Sequence, residues 1–285
     1  MNSAPKSRQL ECPACGGSTQ HQFLYVRNGC EILRCRECGL GRTEAREFDP
    51  TGYYTKDYFS GGHGDGYADY VGAEPVLRRE FAHCVGFIRR RVPAGRLLEL
   101  GCAYGFFLQE AREHFDVAGI EIAADAAAHC RAHGLDVRTG VADEAAMAEL
   151  GPADVIVLLD VIEHLPDPRA TVALCARHLA PGGALVLTTG DFASPVARLS
   201  GPRWRLMTPP QHLWFFTSSS IGRMCAASGL HVEALDHPWK LVPLSLIRFQ
   251  LRRMAGLPPE QQAAGSACLP VNLFDAMRVV ARKPA

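Results

Sequence analysis

Two groups of residues in this 285-residue chain have types and spacings suited to chemistry. The first is Cys12-Pro13-Ala14-Cys15, followed after nineteen residues by Cys35-Arg36-Glu37-Cys38-Gly39. Each CxxC turn presents two sulfurs, and two such turns close a tetrahedral thiolate site with no open position, which suits a structural zinc ion. Redox dithiols are the other use of such pairs, and Cys30 is the candidate for a swapped ligand. The second group begins with Glu99-Leu100-Gly101-Cys102-Ala103-Tyr104-Gly105 and continues with Glu121, twenty residues past Gly101. A glycine turn lets the backbone approach a ligand, a helix start supplies unpaired N–H groups, and an acid at the next strand's end suits a ribose diol. A dinucleotide would require G-x-G-x-x-G instead, and Glu99 would repel its pyrophosphate while attracting a cationic ligand.

Alternating strands and helices are needed to bring those acids together. Apolar runs at 97–100, 117–120, 155–159 and 184–189 read as buried strands, separated by helices at 106–115, 124–133 and 169–179. Gly134 and Pro181-Gly182-Gly183 supply helix stops. Late strands at 230–235 and 276–282, with a helix at 218–228 before them, extend the pattern. The prediction is an α/β fold with a doubly wound, mostly parallel sheet. Phe23, Leu24, Tyr25, Val26, Ile32 and Leu33 lie between the cysteine pairs and predict a hairpin too small to bury a core without its metal. That segment resembles a zinc ribbon. The expected units are a ribbon over 1–46, a helical and aromatic connection over 47–94, and the α/β domain over 95–285.

Thirty cationic and thirty acidic side chains cancel, so no overall positive field advertises a nucleic-acid or membrane partner. The ends are nonetheless basic, +3 over residues 1–46 and +5 over 237–285, around a middle of −8. Eleven cysteines, seven of them scattered, suit a reducing compartment, and no transmembrane-length apolar run or signal core is evident. A cytoplasmic chain is expected.

The ordered motifs Glu99-x-Gly101-x-Ala103-x-Gly105, Glu121, Asp160-Val161-Ile162-Glu163-His164-Leu165-Pro166 and Leu179-Ala180-Pro181-Gly182-Gly183 resemble those of class I S-adenosylmethionine-dependent methyltransferases over about residues 95–235. The resemblance implies a seven-stranded Rossmann-like sheet and S-adenosyl-L-methionine as cofactor. Glu99, Gly101 and Gly105 would then shape its methionine end, Glu121 would bind its ribose, and Asp160 would face the crevice. Asp143 would approach the adenine edge, or else only cap the helix over 144–150. Ala103 departs from the family's middle glycine, and slight crowding is expected there.

His212, in Pro209-Pro210-Gln211-His212-Leu213 before Phe216-Thr217, is the first candidate base, because the family places acceptor-facing loops there. A structural histidine is the alternative. His164 is the second candidate. Asp160, Glu163 and His164 also resemble the acidic Glu-His signature of ubiquinone-pathway O-methyltransferases, for which a divalent ion has been proposed. Family members with cysteine-rich N-termini include sugar and natural-product methyltransferases, which implies a small-molecule or glycan-like acceptor. An RNA methyltransferase gripping its substrate through the ribbon, and a non-catalytic cofactor-binding regulator, are the rivals.

Tyr53, Tyr54, Tyr58, Phe59, Tyr67 and Tyr70 flank a glycine-rich stretch at 60–66. They suggest a lid over a sulfonium or, alternatively, ordinary helix packing. Residues 241–254 carry apolar side chains at helical spacing and predict an amphipathic helix. Such a helix would pack on its own domain, form a homodimer contact, or touch a lipid-linked acceptor.

Overall fold

The computed structural model describes residues 7–44, 53, 59, 69–243 and 268–285. Four strands come first: β1 (Ser7–Cys12), β2 (Gly17–Arg27), β3 (Cys30–Cys35) and β4 (Gly41–Glu44), paired antiparallel in that order. The two cysteine turns lie at the same end, between β1 and β2 and between β3 and β4. Gly16 and Gly39 adopt φ of +75° and +76° there, and donate N–H groups back to the Cys12 and Cys35 carbonyls. A side chain at either position would strain the turn.

Helix α1 (Glu74–Arg89) follows. The second sheet then alternates β5 (Arg96–Leu100), α2 (Phe106–Ala111), β6 (Asp116–Glu121), α3 (Ala124–Ala132), β7 (Asp136–Thr139), α4 (Glu144–Leu150), β8 (Ala153–Leu159), α5 (Pro168–His178) and β9 (Leu179–Gly190). After α6 (Pro195–Ser200) come β10 (Trp214–Phe215), α7 (Ser218–Ala227), β11 (His231–Asp236), β12 (Lys240–Pro243), β13 (Cys268–Val271) and β14 (Ala276–Arg282). The seven-stranded order is β11-β14-β9-β8-β5-β6-β7, with β14 antiparallel to both neighbours and the β5 to β9 pairings parallel.

The strands are as apolar as a sheet covered on both faces requires: Leu97, Val155, Ile156, Val157 and Leu185 are fully buried. Strand order reverses beside β5, whose neighbours are β6 and β8, and this opens a crevice at their carboxyl ends.

The cysteine-bearing sheet has a fifth strand. β10 pairs antiparallel with β4, Trp214 opposite Arg42 and Phe215 opposite Gly41. Cys12, Cys35, Cys38 and Leu40 share one buried cluster with Leu158, Phe216 and Met224 of the α/β part. The hairpin side chain Ile32 packs in another cluster with Phe192, Trp204 and Phe215.

Two local expectations change. The helix expected from 106 to 115 stops at Ala111, with a turn before Asp116. The helix expected over 241–254 is a strand at Lys240–Pro243, paired with Cys268–Val271; the rest of that segment lies outside the described residues. Tyr54, Tyr58, Tyr67, the 60–66 stretch and the expected boundary near residue 46 also lie outside them.

Candidate active site and thiolate cluster

A cavity of about 470 Å³ occupies the crevice. Its walls come from the residues after β5 (Gly101, Cys102, Ala103), after β6 (Glu121, Ile122), after β7 (Gly140 to Ala142) and after β8 (Asp160, Val161, His164). Phe59 and Tyr70 close another side. Tyr70 stacks on Phe106 at 5.5 Å between ring centroids, and Phe59 meets Tyr104 edge-on at 5.3 Å.

Gly101 and Gly105 have φ of +74° and +76°. A Cβ on Gly101 would lie 2.8 Å from Val161 Cγ2, so that position requires glycine for space as well as conformation, while at Gly105 the positive φ is the reason for glycine. Ala103 sits between them at φ +46°. The departure from the family pattern therefore costs backbone strain. Two contacts hold the strained residue: its N–H donates to Glu121 Oε2 at 2.7 Å, and the Cys130 thiol donates to its carbonyl at 3.2 Å.

Glu121 ends β6 with its other oxygen accepting from the Ala123 N–H at 2.8 Å. Burial raises its pKa, against the lowering effect of those amides. A carboxylate has about four lone-pair sites, so the two amides leave capacity for a diol. Glu99 is 3% exposed, and its Oε2 has no hydrogen-bond partner among the described residues. Burial first, then Cys130 and Glu121, raises its pKa well above the usual carboxylate value. An unpartnered buried carboxyl oxygen on the wall of a cavity fits a cationic guest.

Asp160 follows β8 at φ +54° and accepts from the Thr188 hydroxyl at 2.8 Å and from Lys240 Nζ at 3.4 Å. Burial opposes its ionisation, but Lys240 and Thr188 prevail and lower its pKa. Lys240 gave no sequence signal, because only the β12–β13 pairing carries it to the crevice. Exposed Asp143 caps the helix over 144–150, accepting from the Ala146 N–H at 2.8 Å, while its neighbours Val141 and Ala142 line the cavity.

The two candidate histidines sit side by side. His164 lines the cavity, whereas His212 stands behind it, packed edge-on against the His164 ring at 4.7 Å. His164 Nδ1 lies 2.9 Å from the Gln211 carbonyl, which can only accept, so Nδ1 carries the proton and Nε2 the lone pair. Burial lowers the His164 pKa to about 4. Burial and His164 lower that of His212 to about 3. Glu163 has one unpartnered oxygen among the described residues, and burial followed by the Asp160 charge lifts its pKa to about 8. Ligand atoms of Glu163, His164 and His212 all lie within 4.8 Å of one another, a set that could hold a divalent ion. Asp160, turned toward Thr188 and Lys240, is not in this group.

The four sulfurs of Cys12, Cys15, Cys35 and Cys38 also lie within 4.8 Å of one another. Cys12 and Cys38 are 3.6 Å apart and Cys15 and Cys35 3.9 Å, close to the roughly 3.8 Å edge of a tetrahedron with zinc–sulfur bonds of about 2.3 Å. Cys30 is outside the group, its thiol directed at the Asn28 carbonyl. A methyltransferase-domain family profile matches residues 73–235, more than half of the chain, including the crevice residues contributed by β5 to β8. The chain belongs to that family.

It is a class I S-adenosylmethionine-dependent methyltransferase. The ubiquinone biosynthesis O-methyltransferase of Hahella chejuensis is 34% identical over 174 residues, covering 54% of this chain and 73% of that protein. The homologous enzyme of Xylella fastidiosa strain 9a5c is 29% identical over 173 residues, covering 54% of this chain and 70% of its own length. Among solved structures, magnesium protoporphyrin IX methyltransferase from Synechocystis PCC 6803 with bound SAH superposes with a TM-score of 0.51 at 14% identity. That superposition covers 83% of this methyltransferase and 96% of the other chain, and it supports the fold. No helix among the described residues is long and apolar enough to cross a membrane.

Proposed function

We propose that this methyltransferase transfers the cofactor's methyl group to a hydroxyl of a small-molecule acceptor, with a structural zinc ion in its cysteine cluster. The observation that carries the reading is one cavity whose walls hold both a cradle for a cationic guest and a neutral imidazole.

S-adenosyl-L-methionine supplies a methyl group already activated on a sulfonium, so the protein must align the acceptor and receive its proton. Gly101, Ala103 and Gly105 bring the backbone against the ligand, and Glu99 pairs with its ammonium group. Glu121 takes the ribose hydroxyls. Asp160, kept ionised by Lys240, adds negative potential at the crevice rim. His164 Nε2 accepts the acceptor's proton, and His212 fixes the His164 ring by packing. The curated relatives are named as O-methyltransferases of ubiquinone biosynthesis, which favours oxygen over carbon or nitrogen as the methylated atom.

For the cysteine cluster, sulfur separations near the edge of a zinc tetrahedron are the supporting feature. The ribbon's backbone and side-chain bonds run inward to the α/β part, which favours an internal structural role over a nucleic-acid grip. Calorimetric titration with S-adenosyl-L-methionine tests the assignment: the zinc-loaded protein should bind, Glu121→Ala should weaken binding at least about tenfold, and absence of binding would refute it. Turnover with phenol or sugar hydroxyl acceptors, lost in His164→Gln with cofactor affinity kept, tests the base.

A further inference from the structure

The peptide from Gln211 to Trp214 is bonded on two sides. On the cavity side, Leu213 N–H donates to the Glu163 carbonyl at 2.9 Å, and Trp214 Nε1 donates to the Leu165 carbonyl at 2.9 Å. The Gln211 carbonyl accepts from His164 Nδ1 at 2.9 Å. On the opposite side, the Thr43 hydroxyl donates to the His212 carbonyl at 2.6 Å, and the Thr43 N–H donates to the Leu213 carbonyl at 2.9 Å. Thr43 is 7% exposed and sits on β4, the ribbon strand that β10 extends. At the other end of the ribbon, Asn28 Nδ2 donates to the Pro209 carbonyl at 2.9 Å. The short peptide is thus a bar held at one edge by the ribbon and carrying, at its other edge, the carbonyl that selects the His164 tautomer.

We propose that Thr43 is a positioning residue for His164, acting through residues 211–214, and that the cysteine ribbon thereby forms part of the acceptor side of the site. This rests on the reading of His164 as the proton acceptor. Its physical content is narrower: the position of the Gln211 carbonyl depends on two hydrogen bonds from Thr43, and the proton on His164 Nδ1 depends on that carbonyl. Buried hydroxyl bonds to a carbonyl contribute enough, in a low-dielectric setting, to choose between two placements of a short loop.

The test is nitrogen-15 imidazole NMR on histidine-labelled, zinc-loaded full-length protein, with His164→Gln assigning the resonances. Wild type should show a single Nδ1–H tautomer at His164. Thr43→Val removes the hydroxyl at nearly constant volume and should give a mixed or exchange-broadened His164 signal, while Thr43→Ser restores the single tautomer. Affinity for S-adenosyl-L-methionine should stay within about twofold of wild type in both variants, because Thr43 touches none of the cofactor cradle. An unchanged His164 tautomer in folded Thr43→Val overturns the proposal, as does a loss of cofactor affinity equal to that of an unfolding variant. Should Thr43→Val not fold, Asn28→Ala at the hairpin tip should produce a smaller change of the same kind, and no change there overturns the proposal. Because the NMR readout needs no cofactor, failure of wild type to bind S-adenosyl-L-methionine would strike the proposed function and leave this coupling standing.

Discussion

Replacing Glu99 by Gln changes one atom and tests the electrostatic basis of cofactor selection. The Glu99 carboxyl is 3% exposed, one oxygen is unpartnered among the described residues, and burial raises its pKa well above normal. Pairing with an ammonium group favours the carboxylate, so binding should release up to about one proton per site. Gln can accept a hydrogen bond without the charge. A charge-assisted bond contributes about 1.5–3 kcal/mol and a neutral one about 0.5–1.5, so the variant should lose about 1–2 kcal/mol, or roughly 5- to 30-fold in Kd. Titration calorimetry at pH 7 in buffers of different ionisation enthalpy reads both quantities. Wild type should show proton release and Glu99→Gln none. Stability should move the other way: a raised carboxyl pKa favours folding below the unfolded value near 4.3, and that contribution is lost as pH rises through the folded value. Gln escapes the loss, so Glu99→Gln should melt above wild type at neutral pH. Equal affinity and equal proton release in the two proteins would refute the role given to this side chain.

Ala103→Gly should relieve a left-handed alanine at φ +46°; about 1–2 kcal/mol of strain relief against about 0.4–1 kcal/mol of added unfolded-state entropy leaves a small net gain, read as a higher Tm with cofactor affinity intact. Zinc content measured by mass spectrometry should be near one per chain and fall with Cys35→Ser and Cys38→Ser together; a metal-free, fully folded native chain would contradict the site. His164 and His212 have pKa values lowered to about 4 and about 3, so the stability they contribute as neutral rings is present above their unfolded value near 6.5 and is lost as pH falls through those folded values. Their share of that loss should approach about 1.4 kcal/mol per pH unit per ring below about pH 6, and His212→Phe should flatten the decline in denaturant midpoint.

The α/β pattern was readable because parallel strands covered on both faces must be continuously apolar, as at 155–159, and because Gly134 and Pro181-Gly182-Gly183 mark element ends. That Glu99, Gly101 and Glu121 face the crevice was readable because the turn after β5 and the end of β6 place them by local geometry. Non-local pairings left no such mark. β10 is two residues long, and nothing in Trp214-Phe215 announces Gly41 and Arg42 as its partners. For the same reason, spacing along the chain cannot say that His212 packs against the His164 ring. At Leu241 to Pro243 a spacing compatible with a helix misled, because these residues pair with Cys268–Pro270 as a strand.

The fifth strand of the ribbon sheet has a consequence for biosynthesis. β4 emerges early, but the partner that covers its edge is not made until residues 214–215, and the cluster around Leu40 awaits Phe216 and Met224. During translation the two cysteine turns can come together long before their sheet is complete, leaving an open edge and apolar side chains in water. Meeting of the cysteine turns and final docking are thereby separated in time, and a fragment ending after β4 would carry the same uncovered edge permanently.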